Sequence, residues 1–545
     1  MDTRIPFAGV FVCALVVHAH ASAAPSAEQT IDWVKKLEPV AVASTVAEAL
    51  AAGRIADAIA AAAGEALPPL PDSPAGAALP PGLEGYPSGV QEAIAGLLAA
   101  VEGAGAADAE GAKGGALLIM RAIEAALPAL RAQAASASED GPAVDADPLR
   151  EAAETIEEAR RSGAPFRIDE GRLRQYERDL QDGQFANGPE IDAAFHAIID
   201  ERLPHAVEHA LHEVEHFLEQ LRAMTGGGGH GGDIVPASHL GGCVEPVPGV
   251  LRICDEGAQL ITTPVILHID LGGSDTYAYD VAGASGPGAV QVVVDVEGSD
   301  VYFTTSPGGG APAVGQGAGV GGGIGILVDV LGSDTYVVDG SSAALGQGYG
   351  SAGAGILVDL EGSDVYSLTD IHSVFADPAP EFVAITSPAV EVRGQGAGNG
   401  AGIGVQLDGL GSDLYFAFAA TSATIPAGPF ITRPDGTVVV HTSESGSATT
   451  EVQGAASGSG AIGVPLPLLV PGIGVNVDAA NPPILGANTF FAFSTTAAIA
   501  NEWSNISSDG SRTCISETGD ALTRAQGAGS GAGLGTHGSN AATFH

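Results

Sequence analysis

A chain of 545 residues with 21 Lys and Arg against 65 Asp and Glu carries a formal charge of −44. Such an acidic surface sets it against nucleic acid and anionic lipid and makes cations its natural counter-species. The length is ample for two or more domains, and no stretch reads as a transmembrane helix, because the longer apolar runs are Ala- and Gly-rich and interrupted.

Residues 1–23 read as a secretory leader: Arg4 in a short basic region, an apolar run from Phe7 to Val17, then Ala21-Ser22-Ala23 before Ala24-Pro25. The expected location is outside the cell, secreted or at its surface, with the periplasm as the bacterial equivalent. From 24 to 224 the sequence is rich in Ala, Glu and Leu, with apolar residues at helical spacing in VQEAIAGLLAAVEG, ALLIMRAIEAALPALRAQAA and PLREAAETIEEARR. Proline-rich breaks separate these segments, so this half predicts a loose, Ala-rich helical domain.

Its last helix contains HAVEHALHEVEH. His212-Glu213-Val214-Glu215-His216 matches HExxH, in which two histidines one turn apart hold zinc and the intervening glutamate is the general base. A zinc peptidase built on His212, His216 and catalytic Glu213 is therefore one alternative function. The favoured reading is a solvated helix face, since charge-rich faces are usually just solvated, and Glu219 and Arg222 stand where an extended HExxHxxGxxH motif has Gly and His.

The GGGGHGGD run opens a glycine linker over 225–242. Beyond it, 243–545 changes to Gly, Val, Ser, Thr, Tyr and Asp, a β-forming vocabulary. Export permits disulfides, and Cys243 and Cys254 flank a Pro-Val-Pro-Gly turn, so they either close a short loop or stay as buried thiols, with Cys514 left over.

This β region repeats. DLGGSDTY, DVEGSDVY, DVLGSDTY, DLEGSDVY and DGLGSDLY begin at 270, 295, 329, 359 and 408. Ahead of three of them stands a Gln-Gly marker, with Gln316, Gln347 and Gln395 lying 13, 12 and 13 residues before the first Asp. What varies is the return from the Tyr strand to the next Gln, as a stacked unit allows at one corner only. One insert, PFITRPDGTVVVHT, predicts a projecting hairpin. The fold class expected is thus α+β multidomain: a helical domain followed by a parallel β-solenoid of about six coils with a looped edge.

Stacking would align two columns, Asp270, Asp295, Asp329, Asp359, Asp408 and Asp275, Asp300, Asp334, Asp364, Asp413. Charges at the strand spacing of about 4.8 Å repel by roughly 3 to 4 kcal/mol per pair at an effective dielectric near 20. Two compensations are open. Calcium accepts six to eight oxygens in a forgiving geometry; alternatively each Asp caps its own turn by accepting backbone N–H bonds. The GGSDTY and GSDxY turns resemble the RTX (hemolysin-type) calcium-binding β-roll repeat, GGxGxDx followed by an aliphatic or aromatic residue, and that resemblance implies calcium in stacked acidic turns. The function expected is an exported, non-enzymatic, calcium-binding structural or adhesive protein whose looped edge takes a glycan or protein, with self-association through the final sheet edge. A carbohydrate-active β-helix is the other enzymatic alternative.

Overall fold

In a computed structural model the described residues are 45, 49, 54–63, 65–70, 83–104, 109–134, 144–161, 175, 178–179, 182–184 and 202–224 in the N-terminal half. In the C-terminal half they are 242–375, 389–425, 447–458, 473–478 and 489–500, apart from 256, 309 and 410, with short strand segments on to 544. The leader at 1–23, the linker up to residue 241 and the Gln526 copy of the marker lie outside them.

Five helices are described: α1 (Ile55–Ala63), α2 (Ser88–Gly103), α3 (Ala109–Gln133), α4 (Asp147–Arg161) and α5 (Arg202–Met224). Each buries one apolar stripe, as Ala116, Met120, Ile123, Leu127 and Leu130 do on α3. No described helix is long and apolar enough to cross a membrane.

The remainder is mostly parallel sheet, so the chain is α+β. A full repeat gives one strand to each of four sheets, of five, six, nine and seven strands in the order the chain visits them, and the earliest repeats contribute only to some of these sheets. One repeat runs Ala313–Val314, Gly319–Val320, Ile324–Asp329, Thr335–Gly340; the next runs Ala344–Leu345, Gly350–Ser351, Ala354–Asp359, Val365–Phe375. Pairing is parallel and in register, with Gly319 beside Gly350, Asp329 beside Asp359 and Tyr336 beside Tyr366. The nine-stranded sheet is here the Asp sheet and the seven-stranded one the Tyr sheet.

The helices do not form the loose, separate body expected of them. Ile59, Ile94, Ile119 and Ile123 from α1, α2 and α3 share one core with Ile324, Ile326 and Val328 of the Asp sheet. Leu149, Ile156, Val214, Phe217 and Leu221 from α4 and α5 share another with Phe303, Val337 and Phe416 of the Tyr sheet. Approach is close: a Cβ on Gly115 of α3 would stand 2.7 Å from Ile324 Cδ1. Arg222 of α5 also pairs with Asp339 at 2.9 Å. Both large sheets are thereby buried on both faces, which is why strands such as IGILVD are apolar throughout instead of alternating.

The corner before the six-stranded sheet is set by Gln-Gly. Gln316, Gln347, Gln395 and Gln453 all take φ between 48° and 54°, each followed by a glycine at φ 73° to 78°. Only glycine fits the second position: a Cβ on Gly317 would lie 2.0 Å from the Ile356 carbonyl oxygen, backbone of the Asp sheet one repeat further on. Neighbouring sheets approach closely at this corner.

Insertions first lengthen the Tyr strand, from five residues in Val301–Thr305 and six in Thr335–Gly340 to 11 in Val365–Phe375 and 12 in Leu414–Ile425. The hairpin expected around Pro434-Asp435-Gly436 is seen as the antiparallel pairing of Ile431–Thr432 with Val438–Val440. At the start of the β region, Val244–Val247 pairs antiparallel with Leu251–Cys254, and a disulfide joins Cys243 to Cys254.

Candidate metal centre

Strand parity decides where the first Asp of each frame points. In Ile324–Asp329, residues 324, 326 and 328 pack on the helices, so Leu327 and Asp329 face the Tyr sheet, where Leu327 meets Tyr336. Tyr336 in turn leaves Val337 for α5. The two strands meet across the Gly-Ser-Asp turn, and Asp and Tyr from opposite sides face each other in a closed interior: Asp270, Asp295, Asp329 and Asp359 are 0% exposed, as are all five frame tyrosines.

The tyrosines stack. Ring centroids of Tyr277, Tyr302, Tyr336, Tyr366 and Tyr415 follow one another at 4.7 to 4.9 Å, within 14° of parallel, and Phe490 continues the series at 4.4 Å. Their hydroxyls donate to the first Asp column. Tyr277 reaches Asp270 Oδ2 at 3.0 Å and Asp295 Oδ2 at 2.6 Å, Tyr302 reaches Asp295 Oδ2 at 3.0 Å and Asp329 Oδ2 at 2.6 Å. Tyr336 and Tyr366 both donate to Asp359 Oδ2, at 2.8 and 3.1 Å, and Tyr415 to Asp408 Oδ2 at 2.6 Å. The signal for these hydroxyls in the sequence is the fixed place of each tyrosine seven residues after the first Asp of its frame.

The second column caps turns, one repeat back. The backbone N–H of Asp275 donates to Asp300 Oδ1 at 2.5 Å, that of Asp300 to Asp334 Oδ1 at 2.6 Å, that of Asp334 to Asp364 Oδ1 at 2.7 Å, and that of Asp364 to Asp413 Oδ1 at 2.9 Å. Gln259 N–H donates likewise to Asp275. Outside them the frame serines form a looser chain, each N–H meeting the previous Oγ at 3.2 to 3.4 Å.

Capping uses one oxygen of each carboxylate and leaves the other. Asp275 Oδ2, Asp300 Oδ2, Asp334 Oδ2 and Asp364 Oδ2 are buried without a partner, and so are Asp295 Oδ1, Asp329 Oδ1 and Asp359 Oδ1 of the first column. The two compensations weighed from sequence are therefore not exclusive. Among the described residues, four all-aspartate trios bring a carboxylate oxygen from each member within 4.8 Å of the others: Asp270, Asp275, Asp295; Asp295, Asp300, Asp329; Asp329, Asp334, Asp359; and Asp364, Asp408, Asp413.

Burial, followed by neighbouring carboxylates, pushes these acids upward. Asp295 rises to about 7 through burial and the charge of Asp270; Asp270 rises to about 7 and Asp359 to about 6, chiefly through burial. Asp300, Asp329, Asp334 and Asp364 lie well above the carboxylate range for both reasons. An ionised column in this dry space needs positive charge, and a column without it holds protons.

The Gln-Gly corner carries its own polar column. Gln316 Nε2 donates to the Tyr302 and Val337 carbonyls, each at 2.7 Å, and Gln347 Nε2 to Gln316 Oε1 at 3.3 Å and to the carbonyls of Tyr336 and Ser367 at 3.0 and 3.1 Å. One amide-to-amide bond joins Gln347 to Gln316, and the other contacts tie the amides to backbone carbonyls.

The HExxH residues stay apart from all this. His212 and His216 lie on the exposed face of α5 and Glu213 is half-buried, while Val214 and Phe217 point into the core. Among the described residues no third ligating side chain joins them. Sequence reading also missed Asp478, whose backbone pairs with Asp408 although no GSD turn follows it, and His268, discussed below. Comparison with family models, with curated proteins and with solved structures finds no match to this chain.

Proposed function

We propose that this protein is an exported, non-enzymatic calcium-binding protein whose stacked repeats form a parallel β-solenoid held together by a ladder of calcium ions along the Asp columns. The carrying observation is the set of buried carboxylate oxygens left without partners, repeated at the same place in successive frames. The ligand atoms that each trio brings together are all carboxylate oxygens, with no nitrogen or sulfur, which suits a hard, geometrically tolerant cation that fills its remaining positions with water. Calcium fits better than magnesium, which sheds its water reluctantly and asks for a near-ideal octahedron. In-register pairing in four sheets supports the stacked-coil architecture, and it explains why the inserts gather after the Tyr strand: only that return path is free of the stack. Helices cover the two large sheets, so the inserts remain as the surface for a glycan or protein partner.

Equilibrium dialysis of the full chain against calcium tests this reading. Retention of about four ions per chain, falling in Asp329→Asn/Asp334→Asn, is the expected result. A chain that retains none at millimolar calcium keeps its carboxyls protonated, and the columns are then turn caps alone.

A further inference from the structure

The first Asp column ends on a different chemistry. Asp270, its first member, lies beside His268, which occupies the inward position held by Val293 and Leu327 in later repeats and is 0% exposed. His268 Nε2 stands 3.4 Å from Asp270 Oδ2 and 3.5 Å from Cys254 Sγ, and Cys254 is bonded to Cys243. A neutral hydrophobe would pack better there than an imidazole whose Nδ1 is buried without a partner. The Arg252 guanidinium is engaged by Glu245 and by the Thr263 carbonyl at 2.8 Å.

We propose that Cys243, Cys254, His268 and Asp270 form a redox-gated site for a soft divalent ion such as zinc, closed while the disulfide is intact and opened by its reduction. Tetrahedral zinc with Zn–S near 2.3 Å and Zn–N and Zn–O near 2.0 to 2.1 Å sets a sulfur–nitrogen edge of about 3.6 Å and a nitrogen–oxygen edge of about 3.4 Å. The two edges already in place match at 3.5 and 3.4 Å. Two sulfurs on one zinc sit about 3.8 Å apart, so one must withdraw from bonding distance. Cys243 is free to do so, because it is half-buried and precedes the sheet's antiparallel first strand, whereas Cys254 is held inside the parallel stack. Two electrons and two protons from an external thiol reductant convert the bridge to two thiols and the reductant to its disulfide. Zinc then displaces both thiol protons to solvent, forming two Zn–S bonds, and takes His268 Nε2 and the Asp270 carboxylate as its other ligands. The site shares Asp270 with the first aspartate trio, and its signal is still separable from the calcium ladder, because a thiolate–metal band cannot come from calcium.

Cobalt(II) is the probe. The full chain is reduced with excess thiol, desalted under anaerobic conditions and titrated with cobalt, following the thiolate-to-cobalt charge-transfer absorption. The proposal expects a band that saturates at one cobalt per chain, is absent from the oxidised protein, disappears on adding zinc, and survives Cys514→Ser. His268→Gln, with native far-ultraviolet circular dichroism, should weaken cobalt binding at least about tenfold. The proposal is overturned by a reduced chain with no band, by undiminished affinity in His268→Gln, by loss of the band in Cys514→Ser, or by collapse of the circular dichroism on reduction alone.

Discussion

Each repeat buries two polar columns, one at the Gln-Gly corner and one at the Asp-Tyr corner, and they solve the same problem differently. At the first, a neutral amide spends its donors on carbonyls that the turn presents to it, as Gln316 does at Tyr302 and Val337. What is left over, such as Gln347 Oε1 and Gln395 Oε1, is an uncharged acceptor. At the second, carboxylates accept hydroxyl and N–H donors, and oxygens such as Asp329 Oδ1 and Asp334 Oδ2 are still buried without a partner. A buried column of amides leaves only neutral groups unmet; a buried column of acids must import protons or cations.

The sharpest way to break the comparison is at the self-sufficient corner. Gly317→Ala forces a Cβ into the Ile356 carbonyl at a φ of 73° and should cost at least about 3 kcal/mol, read as a lower urea midpoint that calcium does not restore. At the acidic corner, pH is the next lever. Without calcium the folded acids hold protons at pH values where unfolded aspartates, near 3.9, release them, so ∂ΔG/∂pH is negative. Metal-free stability is therefore fully present below about pH 4 and is lost as pH rises through the folded values of about 6 for Asp359 and about 7 for Asp270 and Asp295. Each such group contributes a slope of up to about 1.4 kcal/mol per pH unit. Calcium, which binds the ionised form, should flatten or reverse that slope in urea titrations at pH 5 and 7.

Smaller changes separate the columns further. Asp334→Asn keeps the Oδ1 acceptor for the Asp300 N–H but removes a charge; it should raise the metal-free urea midpoint and shrink the gain on adding calcium, two opposite signs from one substitution. Tyr336→Phe deletes the hydroxyl that donates to Asp359 at 2.8 Å while preserving the ring stack, and should cost about 1.5 to 3 kcal/mol in the calcium form. Gln347→Leu should destabilise by about 1 to 3 kcal/mol equally with and without calcium, because no charge is involved.

Much of this architecture was legible in the chain. Five DxxGSDxY frames and the Gln marker at a near-constant offset gave the two Asp columns, a column of glutamines and the one-corner inserts, because a stacked unit repeats its chemistry at fixed spacing. The helices' place was harder to read. Their stripes predicted burial but not against what, and the clue lay in the strands: IGILVD has no polar face, so something had to cover both sides. The tyrosine hydroxyls were missed since a stacked ring satisfies a packing role without them. Whether the carboxylates faced solvent or interior depended on parity, and Asp329 shares its parity with Leu327, not with Ile326 and Val328. HExxH showed the opposite failure, a motif complete in letters whose helix turns both histidines outward.

Thermal unfolding of the full chain at pH 7, followed by circular dichroism with millimolar calcium and then with EDTA, tests the central claim most directly. Ions bound only by the folded state stabilise it by RT ln(1 + [L]/Kd) at each site, so about four sites should raise the transition by about ten degrees or more, with magnesium giving far less. Coincident transitions in calcium and EDTA would contradict the account and leave the Asp columns as protonated turn caps.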